Sequence, residues 1–224
     1  MQSSNQKKIT LAFAVLALMN IAGIITGSEN LHYITKPLLV PALLLLLYVT
    51  PARAARKALL MTGLFFSWAG DVFLLFESKN ALFFIFGLVC FLLTHLFYIS
   101  YFLKIKSGNP SLLKKYPLLI ALVAAYGVSL VWLLYPHLAD LKIPVMVYAA
   151  VICSMLLSSL HVFLKINRKA AAAYLAGAAF FVLSDSLLAV NKFYQPFAAA
   201  GALIMITYCA AQYFIVRGYI EQES

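Results

Sequence analysis

Eight apolar runs, each near the length that crosses a bilayer, follow one another with only short polar breaks between them. They cover approximately residues 9–27, 34–50, 58–76, 81–103, 115–135, 143–164, 170–190 and 195–216. Inside hydrocarbon, backbone N–H and C=O groups must be satisfied within the protein, so such runs predict helices. The expected fold is an all-α polytopic membrane protein of eight transmembrane helices, a single integral domain over 1–224. The chain is 64% hydrophobic and 11% charged, and its loops are short, so no soluble domain is visible. The second run is the shortest. Pro37 and Pro41 are expected in its first turns, where a missing N–H costs nothing. The run after Lys7-Lys8 is long for a signal peptide and lacks a convincing cleavage site, so it reads as a retained first span.

The net charge of +10 does not indicate nucleic-acid binding, because the basic residues sit between apolar runs. Lys7, Lys8, Arg53, Arg56, Lys57, Lys104, Lys106, Lys114, Lys115, Lys165, Arg168, Lys169 and Arg217 fall on one side. Only Lys36, Lys79, Lys142 and Lys192 fall on the other. The positive-inside rule then predicts both termini in the cytoplasm, with the plasma (inner) membrane as the location.

Of seven acidic residues, only Asp71 and Asp185 lie within apolar runs; Glu29, Glu77, Asp140, Glu221 and Glu223 read as loop or tail. A carboxyl at membrane depth is costly, so a functional role is its default reading; a structural one, hydrogen bonding between helices, is the alternative. Both belong to segments that run in the same direction. Asp71 lies about 20 Å from the inner end of its segment, and Asp185 lies at nearly the same depth.

The two aspartates are 114 residues apart. The same offset carries Gly63 to Gly177, Phe66 to Phe180, Leu74 to Leu188 and Gly87 to Gly201. The stripe Gly87, Phe91, Thr94, Tyr98 maps onto Gly201, Met205, Tyr208, Gln212, each on one helical face. These matches point to two parallel four-helix halves, about 1–110 and 111–224. Asp71 and Asp185 are then expected to converge on one cavity, with His95, Tyr208 and Gln212 on its wall.

Other polar residues join this pair. Gly63, Ser67 and Asp71 share a face, where small residues permit close helix approach and a hydroxyl can orient a carboxyl. Ser184 precedes Asp185, and Asn191 follows at the helix end. His95 lies on the stripe and is expected to face the interior; an interhelical hydrogen bond is its plainer reading. Tyr208 and Gln212 either contact a ligand or tie helices together. Lys36 opens the second run and could bind a phosphate head group, or simply snorkel. His32 and His137 read as outer-loop residues, and His161 as an interface residue. No histidine spacing suits a metal site, and Cys90, Cys153 and Cys209 form no ligand motif or disulfide framework. No GxSxG, Walker or dinucleotide motif is present, so neither metal nor cofactor is expected.

Lys36-Pro37, the GLxFSxxGD phrase ending at Asp71, the Gly87-Leu88, His95 and Tyr98 stripe, the GAxxFxxSD phrase ending at Asp185, and Tyr208 with Gln212 together resemble the YhhN-type membrane family, the lysoplasmalogenases. The resemblance runs from about Lys36 to Gln212; the first segment and the 104–115 loop carry no signature. It implies hydrolysis of the vinyl-ether bond of a lysophospholipid, lysoplasmenyl-ethanolamine or -choline. The products are a fatty aldehyde and the glycerophospho-base. Asp71 and Asp185 would be catalytic; Lys36, Ser67, His95, Tyr98, Ser184, Tyr208 and Gln212 would serve the substrate, and membrane lipid would surround the whole. Cleaving a vinyl ether needs a proton on its β-carbon and an anion near the resulting oxocarbenium ion, a task two carboxyls perform in glycosidases. A pair of nearby carboxyls tends to share one proton. A proton-coupled transporter of a small amphiphile is the alternative from another class.

Overall fold

The computed structural model describes residues 4–51 and 54–223. Its helices are α1 (Ser4–Thr26), α2 (Glu29–Tyr48), α3 (Ala54–Leu75), α4 (Ala81–Leu103), the single turn α5 (Leu112–Lys115), α6 (Leu118–Leu134), α7 (Lys142–Val162), α8 (Arg168–Ala189) and α9 (Ala200–Glu223). Among the described residues there is no strand, and eight helices are long and apolar enough to cross a membrane. Arg53, one of the basic residues used for the topology, lies outside the described residues.

The α1–α2 turn moves the start of the second helix from its expected place. Gly27 adopts φ 70°, the left-handed conformation that costs glycine nothing, and Ser28 N–H donates to the Gly23 carbonyl at 2.8 Å. This closes α1 and lets α2 start at Glu29 rather than near residue 34. His32 is therefore on a helix, not in a loop, and Lys36 sits two turns inside. Pro37 and Pro41 fall in the helix interior instead of its first turns. Pro41 has no N–H for the Pro37 carbonyl four residues back, and the Trp68 indole N–H of α3 donates to that carbonyl at 3.0 Å instead. A missing backbone donor thus becomes a link between two helices.

The far end of α2 is closed by Lys57, whose ammonium donates to the carbonyls of Tyr48 (2.7 Å) and Thr50 (2.9 Å). Side chains accept from the first free N–H groups of α4 and α8: Asn80 from Leu82, and Asn167 from Ala170. After α8 the chain winds as one π-helical turn over 190–194 before Pro196, so α9 begins at Ala200 and runs through Glu221 and Glu223. Those two acids are helical and ion-paired, with Arg217 and Arg56 respectively, rather than tail residues.

The α3–α4 and α8–α9 hairpins form the centre, and both close on glycine. A Cβ on Gly63 would sit 2.6 Å from the Tyr98 ring; one on Gly177 would meet the Ala211 carbonyl and the Ile215 N at 2.9 Å. Thr94 Oγ1 donates to the Gly63 carbonyl at 3.1 Å. α6 is peripheral and buries only Gly127 and Leu134. A shift of 114 residues carries the bounds of α3 onto those of α8 and the first residue of α1 onto that of α6.

Candidate active site

Asp71 follows the first residue of α3 by 17 residues, as Asp185 follows that of α8. Both therefore lie about 25 Å along their helices, toward the lysine-poor end of the bundle. There they line one cavity of about 310 Å³. Its polar wall is His32 and Lys36 from α2, Asp71, Glu77 beyond the end of α3, Ser184 and Asp185 from α8, Asn191 from the π-turn and Tyr208 from α9. Ile24, Leu74, Phe91, Leu188, Gly201, Ile204 and Met205 complete it.

Asp71 is buried at the end of a hydrogen-bond chain. Tyr98 OH donates to Gln212 Oε1 (2.8 Å), Gln212 Nε2 donates to Ser67 Oγ (2.5 Å), Ser67 lies 2.8 Å from Tyr208 OH, and Tyr208 OH donates to Asp71 Oδ2 (2.5 Å). The Tyr208 hydrogen is committed to Asp71, so Ser67 is the donor in its pair. Every hydrogen in the chain then points toward the aspartate, and each bond polarises the next. The helix faces explain the assembly. Ser67 and Asp71 are one turn apart on α3, and Tyr208 and Gln212 one turn apart on α9, so two short ladders mesh side by side.

Asp185 has a different support. Tyr148 OH from α7 donates to Asp185 Oδ2 at 2.5 Å, and His95 Nε2 from α4 lies 3.1 Å from the same oxygen and 3.2 Å from the tyrosine oxygen. Facing two acceptors, Nε2 carries the hydrogen, and the buried Nδ1 has no hydrogen-bond partner among the described residues. The His95 ring stands edge-on to Phe181 with centroids 4.6 Å apart. Both bonds end on Oδ2, which leaves Oδ1 of Asp185 without a hydrogen-bond partner among the described residues.

Of the residues singled out from sequence, Lys36, Asp71, Ser184, Asp185 and Tyr208 line the cavity. Ser67, His95, Tyr98 and Gln212 do not; His95 and Gln212, expected on the wall, stand behind it and reach it through Asp185 and Tyr208. The reason is depth: each of the four lies on the same helix face as a lining residue but one or two turns further from the lysine-poor end. The stripe on α4 brings Phe91 to the cavity and sends His95 and Tyr98 into the packed interface. Ser184 donates to the Ile204 carbonyl at 3.1 Å, tying α8 to α9. Lys36 is buried, and its ammonium makes no hydrogen bond or ion pair among the described residues. Sequence reasoning missed Tyr148. Its one available signal is a phenol six residues inside an otherwise apolar run, which demands a hydrogen-bond partner. His32 reads from the sequence as an outer-loop residue, and Glu77, which pairs with Lys192 at 3.1 Å, carries no motif. His161 lies 2.7 Å from Lys165, and the ring of His137 packs on Tyr194, both away from the cavity. Among the described residues, no three His, Cys, Asp or Glu side chains cluster as metal ligands do.

A model of the YhhN family matches residues 31–219. The chain is similar to human lysoplasmalogenase TMEM86A, at 34% identity over 166 residues, 72% of this chain and 65% of the human protein. It is also similar to a lysoplasmalogenase of Mycobacterium tuberculosis (strain CDC 1551 / Oshkosh), at 31% identity over 138 residues, 61% of this chain and 51% of the relative. The chain spans less than two thirds of the length of these curated relatives. No solved structure matches it.

Proposed function

The chain belongs to the YhhN family, and from that premise we propose that it is a lysoplasmalogenase, an intramembrane hydrolase of vinyl-ether lysophospholipids. The observation that carries this reading is the pair of aspartates on one cavity with a buried lysine that makes no ion pair among the described residues. The names of its relatives support it, and the chemistry of the cavity suits it.

The reaction runs by general acid–base catalysis. In this reading Asp185 acts as the acid, through the Oδ1 that its two donors on Oδ2 leave open, and Asp71 acts as the base. Asp185 delivers its proton to the β-carbon, the C=C electron pair forms the new C–H bond, and the α-carbon becomes an oxocarbenium ion. The Asp71 carboxylate stabilises that cation and takes a proton from the water that adds to it. In the second half, Asp185 takes the hydroxyl proton of the hemiacetal while Asp71 returns its proton to the glyceryl oxygen. The C–O bond breaks, the aldehyde leaves, and both acids are reset with one water consumed. Tyr208 and Tyr148 hold the two carboxyls at fixed angles, and Lys36 neutralises the phosphate of the head group.

The test is aldehyde release from lysoplasmenyl-ethanolamine by the purified protein in detergent. Long-chain aldehyde and glycerophosphoethanolamine in equal amounts are expected. No aldehyde, together with proton-coupled uptake of a lysolipid into vesicles, would move the cavity to the transporter class.

A further inference from the structure

A second, smaller space of about 40 Å³ opens beside Asp185. Four residues, Leu74, Phe91, Asp185 and Leu188, line both it and the larger cavity, so the two are neighbours through a shared wall. Beyond that wall the lining is apolar: Phe84 and Leu88 of α4, Val145 of α7, Ala189 of α8 and Phe193 of the π-turn. The only other polar group is the Tyr148 hydroxyl, already donated to Asp185. The rings of Phe84 and Phe193 meet edge-on, with centroids 5.8 Å apart. At about 10–15 Å³ per water-sized occupant, the slot has room for only a short stretch of chain.

The 114-residue offset relates the two sides of the acid pair. The larger cavity is lined by offset-related pairs: Asp71 with Asp185, Leu74 with Leu188, Glu77 with Asn191, and Phe91 with Met205. Tyr98 and Gln212 are likewise related, and they hydrogen-bond to each other at 2.8 Å. Residues related by a twofold axis touch each other only where they lie next to it, so the cavity sits at such an axis. The axis exchanges α7 with α2. The two helices do not present equivalent positions there: by the offset Val145 and Tyr148 of α7 correspond to Leu31 and Ile34, whereas α2 offers His32 and Lys36 to the larger, polar cavity. The two sides of a nearly symmetric acid pair therefore carry opposite chemistries.

We propose that the substrate lies across this axis, with the first carbons of its alkenyl chain in the slot against α7 and its phosphate head group beside Lys36 on α2. The inference rests on the lysoplasmalogenase reading and extends it to a named subsite. It puts the β-carbon at the shared wall, against Asp185, and makes Leu88 and Ala189 determinants of chain acceptance. Only the first carbons past the vinyl ether are read; the rest of a longer chain lies outside the slot and is not distinguished.

The experiment compares binding of two saturated ethers, 1-O-hexadecyl and 1-O-ethyl glycerophosphoethanolamine, which cannot react. Ala189→Leu fills the slot. It is expected to raise the Kd ratio of hexadecyl over ethyl at least tenfold relative to the unmodified protein. Leu88→Ala, which removes bulk and serves if Ala189→Leu does not fold, is expected to shift the same ratio about fivefold by removing chain contacts. An unchanged ratio, or equal weakening of both ligands in a variant that elutes as a folded species, overturns the slot assignment. Aldehyde release from the corresponding hexadecenyl lipid is measured in parallel on the unmodified protein. Its absence overturns the catalytic reading, whereas the binding ratio judges the slot on its own.

Discussion

Asparagine at position 71 or 185 keeps the shape of the carboxyl and its place in the hydrogen-bond chain but cannot carry the proton. Each substitution is expected to lower kcat by about 10²–10⁴-fold while leaving extraction and elution unchanged. Steady-state aldehyde release checks this, and full activity in either variant ends the two-carboxyl mechanism. Tyr148→Phe removes only the hydroxyl that holds Asp185 Oδ2. As Asp185 gives up its proton, the Tyr148 hydroxyl donates to a carboxylate gaining charge, a bond of about 1.5–3 kcal/mol, so a loss of roughly 10–100-fold in kcat is expected, smaller than that of the aspartate it positions. Lys36→Ala should raise KM for the lysolipid with kcat nearly unchanged, because head-group contacts are the same in ground and transition states. A collapsed kcat with unchanged KM would instead put Lys36 in the chemical step.

The second helix carries two internal prolines, and its tolerance of them depends on a neighbour. Trp68→Phe keeps the aromatic packing but strips the Pro37 carbonyl of the indole donor. An unsatisfied buried carbonyl costs about 1–3 kcal/mol, so a lower Tm in detergent is expected. Pro41→Ala restores a backbone N–H four residues on and should recover most of that loss in the double variant. Additive destabilisation would show that the carbonyl is not the weak point. The central hairpins are less forgiving. At Gly177 the obstacle to a Cβ includes backbone atoms of α9, which cannot rotate away. Gly177→Val is expected to lower Tm more than Trp68→Phe does.

Among the described residues, twelve basic side chains belong to one end of the bundle and four to the other, an asymmetry from which the positive-inside rule predicts the direction of the molecule in the membrane. With the basic end cytoplasmic, the cavity and both aspartates belong to the outer half. A cysteine introduced at Ser107, in the exposed α4–α5 connection, is then expected to react with a membrane-impermeant thiol reagent only after the inner face is opened. Labelling on intact cells would invert the molecule and turn the cavity toward the cytoplasm. Crossing eight helices through one bilayer also explains why apolar side chains such as Leu118, Val128 and Trp132 stay on the outside of α6: lipid, not water, is their solvent.

Hydropathy alone determined that this chain is a bundle of eight spans, because the demand to satisfy the backbone in hydrocarbon acts on each segment separately. It also singled out Asp71 and Asp185, since an ionisable group stands out in any apolar run, and their matched depth followed from counting residues along a helix. Helix register and the depth of the cavity were decided only by tertiary packing. The stripe containing Phe91, His95 and Tyr98 is one face in sequence, yet in the bundle it divides between the cavity and the interface behind it. Lys36 moved two turns into α2 because of a glycine turn and a tryptophan on another helix. The partnership of Asp185 with Tyr148 joins residues on different helices whose spacing follows no period, so it exists only where α7 meets α8. The same holds for the contrast between the polar side at α2 and the apolar slot at α7. Periodicity reports which residues share a face; which faces meet is a property of all the helices together.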